Sequence, residues 1–154
     1  MKSTCNRLVT ARLELVEVSP SVAGLLARGE SPAEQVWADG YPLDGTLVAA
    51  AMLLRGVASG ADGPGFGMYQ LVDRETVRVL GDVGFHGPPD DSGDVEIGYG
   101  IAAPRRGQGL ATEAVRALVG WALAQPGVRR VVAGTDPDDA VSQRVLVRAG
   151  FVDR

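Results

Sequence analysis

Cysteine, histidine and lysine occur once each in the 154 residues, and only 5% of the chain is aromatic. Cys5 stands alone in a polar N-terminal stretch, which excludes a disulfide framework or a zinc site within one chain; its simplest reading is an inert thiol. With Lys2 as the only lysine, no Gly-Lys-Ser/Thr exists to complete a P-loop. Long apolar runs are also missing. The longest, Leu47 to Leu54, falls far short of the roughly 20 residues needed to cross a bilayer, and the segment from Met1 to Arg7 lacks the apolar centre of a signal peptide. These absences point to the cytoplasm and away from membranes. Basic residues do not dominate either: 15 Lys and Arg against 19 Asp and Glu leave a net charge of −4, with no broad basic surface for nucleic acid. Any phosphate site must therefore be local, made by a few arginines and backbone N–H groups.

What remains is ordinary globular material, 45% hydrophobic and 22% charged, with 21 glycines that follow no collagen-like period. The length suits one domain over residues 1–154 with a single core. Arg12 to Val18 alternates as a half-buried strand does, and Ser19-Pro20 offers an N-cap followed by proline at the first helical position. Thr46 to Arg55 reads as a second helix, and the glycine-rich stretch from Gly56 to Gly67 as a loop. Met68 to Asp73, Val77 to Phe85 and Asp94 to Ile101 read as an antiparallel meander. From Gly109 the period changes to that of an amphipathic helix, with Leu110, Ala114, Leu118 and Ala122 on one face, ending near Pro126-Gly127. Arg129 to Thr135 is strand-like. Asp136-Pro137 then offers a cap for a last helix facing inward through Val141, Val145 and Ala149, with Gly150 beyond its end. This order predicts an α/β fold with a mixed sheet.

The chemistry concentrates where the third meander strand runs into a glycine turn and a helix start, through Arg105-Arg106-Gly107-Gln108-Gly109-Leu110-Ala111-Thr112. Glycines at 107 and 109 remove side chains that would hold an anion away, and the first N–H groups of the new helix have no internal acceptors. With the positive end of the helix dipole they suit a diphosphate, and Arg105 and Arg106 add charge at the same place. A dinucleotide fingerprint is a poor fit. Thr112 stands where it needs Gly or Ala, and Arg129 and Arg130 stand where it needs an acid.

Arg106-Gly107-Gln108-Gly109-Leu110-Ala111 resembles the Gln/Arg-x-x-Gly-x-Gly/Ala signature of the GNAT superfamily of acetyl-CoA-dependent N-acetyltransferases. Glu96-Ile97-Gly98-Tyr99, Thr112-Glu113-Ala114, Asp139-Ala140-Val141-Ser142 before Gly150-Phe151, and the early Leu8 to Leu13 are similar to the branch that includes the ribosomal-protein N-terminal acetyltransferases. The resemblance spans nearly the whole chain. It implies a mostly antiparallel sheet flanked by helices, acetyl-CoA as cofactor, and a peptide or small-molecule amine as acceptor. It also implies that the backbone of Gly107, Gln108, Gly109, Leu110, Ala111 and Thr112 holds the diphosphate, that Tyr99, Gly100 and Ile101 pair with the pantetheine arm, and that Ser142 lies near the thioester sulfur. Asp139 stands where relatives often have asparagine, and fits a helix cap. Leu146 stands where many relatives have a tyrosine acid, which leaves that role vacant or to Ser142. Relatives usually continue from Gly-Phe into two more strands, so the edge of Arg129 to Thr135 is expected to lie open, for a second copy to cover or as a shortened form.

Acetyl transfer needs a neutral amine, a donor for charge building on the carbonyl oxygen, and a proton for the departing thiolate. Glu96, on the strand entering the turn, is the first candidate base. His86, at a strand end, is the second, although a surface role is as simple. A backbone N–H near Tyr99 to Ile101 suits the oxygen. A non-catalytic acyl-CoA-binding module and a nucleotide-binding domain are the other readings.

Overall fold

The computed structural model describes residues 5–60, 63–135 and 137–152. β1 (Arg7–Val9) and β2 (Leu13–Glu17) form a hairpin in which Leu13 and Leu15 are fully buried. Ser19 then caps α1 (Pro20–Ala27), its hydroxyl accepting from the Val22 N–H. β3 (Val36–Trp37) is a two-residue strand that the periodicity does not reveal. α2 (Asp44–Ser59) starts where the Thr46 hydroxyl accepts the Leu43 N–H at 3.1 Å. It runs through Gly56 and stops only at Gly60, whose φ is 75°. The loop expected from Gly56 therefore begins four residues late. A helical glycine costs only about 1 kcal/mol against alanine, and the left-handed position at Gly60 is what ends the helix.

β4 (Met68–Asp73), β5 (Arg78–Phe85) and β6 (Asp94–Ile101) are the expected meander. A 3-10 turn, Ala103–Arg105, leads to α3 (Leu110–Leu123), followed by β7 (Arg130–Val132) and α4 (Ala140–Arg148). The sheet order is β1-β2-β4-β5-β6-β7, with β3 on the start of β5. Among the described residues only β3–β5 and β6–β7 are parallel, so the fold is the expected mixed, mostly antiparallel α/β sheet.

α3 packs Leu110, Ala114, Val115, Leu118 and Ala122 on one face of the sheet, against Leu15, Leu71, Val83 and Val95. Complete burial of a leucine is worth about 2 kcal/mol, so this stripe fixes where the helix begins. Trp121 belongs to the same core beside Phe66 and Phe85. α1 and α2 pack around Ala23, Leu26, Ala50 and Met68 in a separate cluster.

Two expectations at the end of the chain change. β7 has three residues rather than seven, because it pairs with β6 only at Asp94, Val95 and Glu96. α4 is capped by Asp139, which accepts the Ser142 N–H at 3.0 Å, and Asp136, the cap expected from sequence, lies outside the described residues. The later start turns the helix. Leu146 becomes its buried residue while Val141 is 61% exposed; Val145 is half-buried and Ala149 packs against the core.

Candidate active site

Gly107 and Gly109 both adopt left-handed backbone, with φ of 76° and 79°. Gly109 is the N-cap of α3 and offers no side-chain acceptor, so the N–H groups of Leu110, Ala111 and Thr112 face outward unpaired by the helix. A Cβ added at Gly107 would meet nothing within 4 Å, which shows how open this side of the turn is. The turn is held from behind. Arg12 donates to the Gln108 carbonyl at 2.7 Å and, through Nε, to Glu113 at 2.8 Å, while the Arg12 N–H and the Thr10 hydroxyl also donate to Glu113. Burial alone would raise the Glu113 carboxyl, but Thr10 and Arg12 outweigh it and hold the group below the usual carboxylate range.

The two arginines of the turn differ. Arg105 donates to Asp73 at 2.8 Å, so its charge is taken up within the protein. Arg106 donates to the Ile101 carbonyl at 2.9 Å and has no carboxylate partner among the described residues. Of the two arginines expected to add charge, Arg105 is thus paired with an acid and Arg106 is not, among the described residues. A recess of about 470 Å³ behind the turn holds Arg12, Arg74 and Arg105, each already engaged: Arg12 with Glu113, Arg105 with Asp73, Arg74 with the Thr10 and Ala11 carbonyls.

Beside the turn the sheet opens. β7 leaves β6 after Glu96, and among the described residues the rest of β6 pairs only with β5. The backbone from Ile97 to Ile101 thus presents a free strand edge, except for the Ile101 carbonyl that Arg106 occupies. The Arg130–Asp94 ion pair, at 2.6 Å, fastens the closed end of this gap. The Tyr99 hydroxyl is buried without a hydrogen bond of normal geometry. Burial raises its pKa, and the nearby Ser142 hydroxyl opposes the rise. Tyr99 on β6 and Ser142 and Asp139 at the start of α4 therefore gather at one place. Asp139 is held low by the Ser142 N–H, which fits a cap. Leu146, where relatives carry an acidic tyrosine, is buried and has no proton to give.

A cleft of about 770 Å³ lies on the other face of β6, against α1 and α2. The two candidate bases meet at its edge: His86 Nδ1 is 3.2 Å from Glu96 Oε1, both side chains about half exposed. The ring extends over β6, since a Cβ at Gly98 would come within 3.2 Å of His86 Nε2. Their ten-residue separation hides this contact from the sequence; the turn between β5 and β6 closes it, with the His86 N–H also donating to the Glu96 carbonyl. His86 lines the cleft and Glu96 stands behind it. The cleft also holds a carboxylate that the sequence reading missed. Asp82 is 7% exposed and accepts from Thr46 at 2.6 Å, and burial pushes it up to about 6. Its only trace in the sequence is an acid set among apolar residues of an alternating strand.

Among solved structures, an acetyltransferase from Agrobacterium tumefaciens aligns with a TM-score of 0.64 and 25% identity, covering 97% of this chain and 85% of its own. RimL, a ribosomal-protein α-N-acetyltransferase solved with coenzyme A, aligns at 0.66 and 19% identity over 94% of this chain and 82% of that one, a likeness of fold. The Bacillus subtilis protein named Uncharacterized N-acetyltransferase YjdG is 34% identical over 88 residues, 57% of this chain and 52% of its own. The chain thus spans about half the length of the curated relatives it matches. Residues 12–152 match the acetyltransferase (GNAT) domain, nearly the whole of the described structure, and the chain belongs to that family.

Proposed function

We propose that this chain is a single-domain cytoplasmic N-acetyltransferase that moves an acetyl group from acetyl-CoA to a primary amine by direct attack in a ternary complex. One observation carries the reading: β6 has a free edge beside an anion-ready helix start on one side and a cleft with a paired His–Glu on the other. Nothing in the helices argues for a membrane, since among the described residues none is long and apolar enough to cross one.

The residues fit coenzyme A. The N–H groups from Gly107 to Thr112, with Arg106, receive the diphosphate, and the space beside Gly107 is open, since a Cβ there would meet nothing within 4 Å. Tyr99, Gly100 and Ile101 offer strand pairing to the pantetheine amides. Acetyl-CoA supplies the acetyl group as a thioester. The Glu96 carboxylate, 3.2 Å from Nδ1, favours the tautomer protonated on that nitrogen, so His86 keeps its Nε2 lone pair above Gly98 and takes the amine proton there. Glu96 positions the ring rather than meeting the amine. A backbone N–H on the free edge of β6 receives the charge that builds on the carbonyl oxygen. The Ser142 hydroxyl, near Tyr99, serves the departing thiolate as hydrogen-bond donor. Asp139 acts through the cap it provides. A second copy pairing along the outer edge of β7, unpaired among the described residues, belongs to the same proposal and predicts a dimer on sedimentation.

Thiol release from acetyl-CoA across a panel of amines tests the reading. We expect turnover with at least one amine, lowered about a hundredfold or more in His86→Ala and less in Glu96→Gln. Tight coenzyme A binding with no thiol release from any amine would instead establish a non-catalytic acyl-CoA-binding module.

A further inference from the structure

Asp82 has no part in the chemistry described so far. Strand periodicity places Asp82, Gly84 and His86 on one face of β5, and the register sets Gly100 opposite Asp82 and Gly98 opposite Gly84. The floor between Asp82 and the imidazole is therefore bare backbone: Gly84, Gly98 and Gly100. The His86 ring lies over Gly98, two residues and so about 7 Å of strand from Gly100, the position opposite Asp82.

The charges around this floor are one-sided. Asp82 accepts from the Thr46 hydroxyl, with the Tyr41 hydroxyl beside it, and no basic side chain pairs with it among the described residues. Glu17, the other carboxylate of the cleft, has both oxygens taken by neutral donors, the N–H groups of Asn6 and Gly65 at 2.7 and 2.9 Å. Among the described residues no arginine or lysine lines the cleft, whose remaining walls include Val48, Met52, Leu53 and Val57. Neutral donors recover only part of the cost of burying a carboxylate. Aspartate also ties Thr46 to β5 no better than asparagine would. Aliphatic walls, buried negative charge and no positive charge complement a cation with an aliphatic body.

We propose that Asp82 and Thr46 form a second ammonium site, and that the cleft takes a short aliphatic diamine, one amino group facing His86 while the other, protonated, pairs with Asp82. This rests on the transferase reading above and names its acceptor class; Asp82 acts on specificity and does not touch the reacting atoms. At neutral pH the Asp82 carboxylate is ionised, as the pairing requires.

Cadaverine, hexylamine, which replaces the distal ammonium with a methyl group, and aminocaproate, which replaces it with an anion, separate the contributions. With the wild-type chain we expect kcat/KM for cadaverine to exceed that for hexylamine by about tenfold or more, with aminocaproate poorest, as a buried charge-assisted contact predicts. In Asp82→Asn the ratio of cadaverine to hexylamine should fall to within about twofold. The wild-type comparison needs no variant to fold, and circular dichroism checks the variant. Equal wild-type rates for cadaverine and hexylamine, or a ratio that survives Asp82→Asn, overturn the assignment while leaving the transferase intact. If no amine releases thiol, the transferase reading fails by itself. Calorimetry of cadaverine against the coenzyme A-bound chain then decides the site: binding lost in Asp82→Asn supports it, and no binding, or binding kept in the variant, overturns it.

Discussion

Two carboxylates in this molecule are perturbed in opposite directions, and their effects on stability have opposite signs. Asp82 is raised to about 6 by burial, so between the ordinary carboxylate range and that value the folded chain holds a proton that the unfolded chain has lost. Stability is then greatest below pH 4 as far as this group is concerned, and falls as pH climbs through 6. Glu113 is lowered by Thr10 and Arg12 after burial has raised it, so its contribution is present above the ordinary carboxylate range and is lost as pH falls through it. Asp82→Asn should therefore melt higher than wild type above pH 6, by up to about 2 to 3 kcal/mol, and the gain should shrink toward pH 4. Thermal melts of both proteins across that range check it; an equal offset at every pH would contradict the assignment. His86 and Glu96 were both legible in the sequence as candidate bases. Their contact was not, because it depends on how strands β5 and β6 register across a ten-residue span. Asp82 was illegible for another reason: period 2 sets a residue on one face or the other, but does not say that α2 covers that face.

At the scale of elements, sequence period located α3 almost to the residue, since Leu110, Ala114, Leu118 and Ala122 are the face it buries. It failed where an element is defined by its partner. β3 is two residues long and exists only through its pairing with Val79 and Arg78, and the length of β7 is set by where β6 and β7 part. α4 shows the weight of a cap, because moving it from Asp136 to Asp139 exposes Val141 and buries Leu146. The turn before α3 depends on an element far away in sequence, the β1–β2 hairpin, which holds it through Thr10, Arg12 and Glu113. Glu113→Ala should cost about 1 to 3 kcal/mol, since it leaves the Thr10 and Arg12 donors unpaired, and should also weaken coenzyme A binding. Denaturant unfolding beside calorimetry tests the link. Destabilisation with undiminished affinity would show that the hairpin does not hold the turn in its binding geometry.

For the whole molecule, one strand organises the proposed function. β6 lends its free edge to the gap beside α3 and α4, and its opposite face, stripped of side chains at Gly98 and Gly100, to the cleft beneath α2. The chain is acidic overall, so coenzyme A gains little from long-range attraction, and the proposed function assigns its hold to the local donors of the turn. That makes the turn the central claim, and calorimetric titration of coenzyme A into wild type and Gly109→Val its most direct test. A valine there must leave the left-handed backbone or strain it, and its side chain would press on Arg12, which holds the turn from behind, so the N–H donors lose the geometry that receives the diphosphate. The account predicts measurable binding by wild type and at least a tenfold loss in a folded Gly109→Val; equal affinity in the two proteins would contradict it.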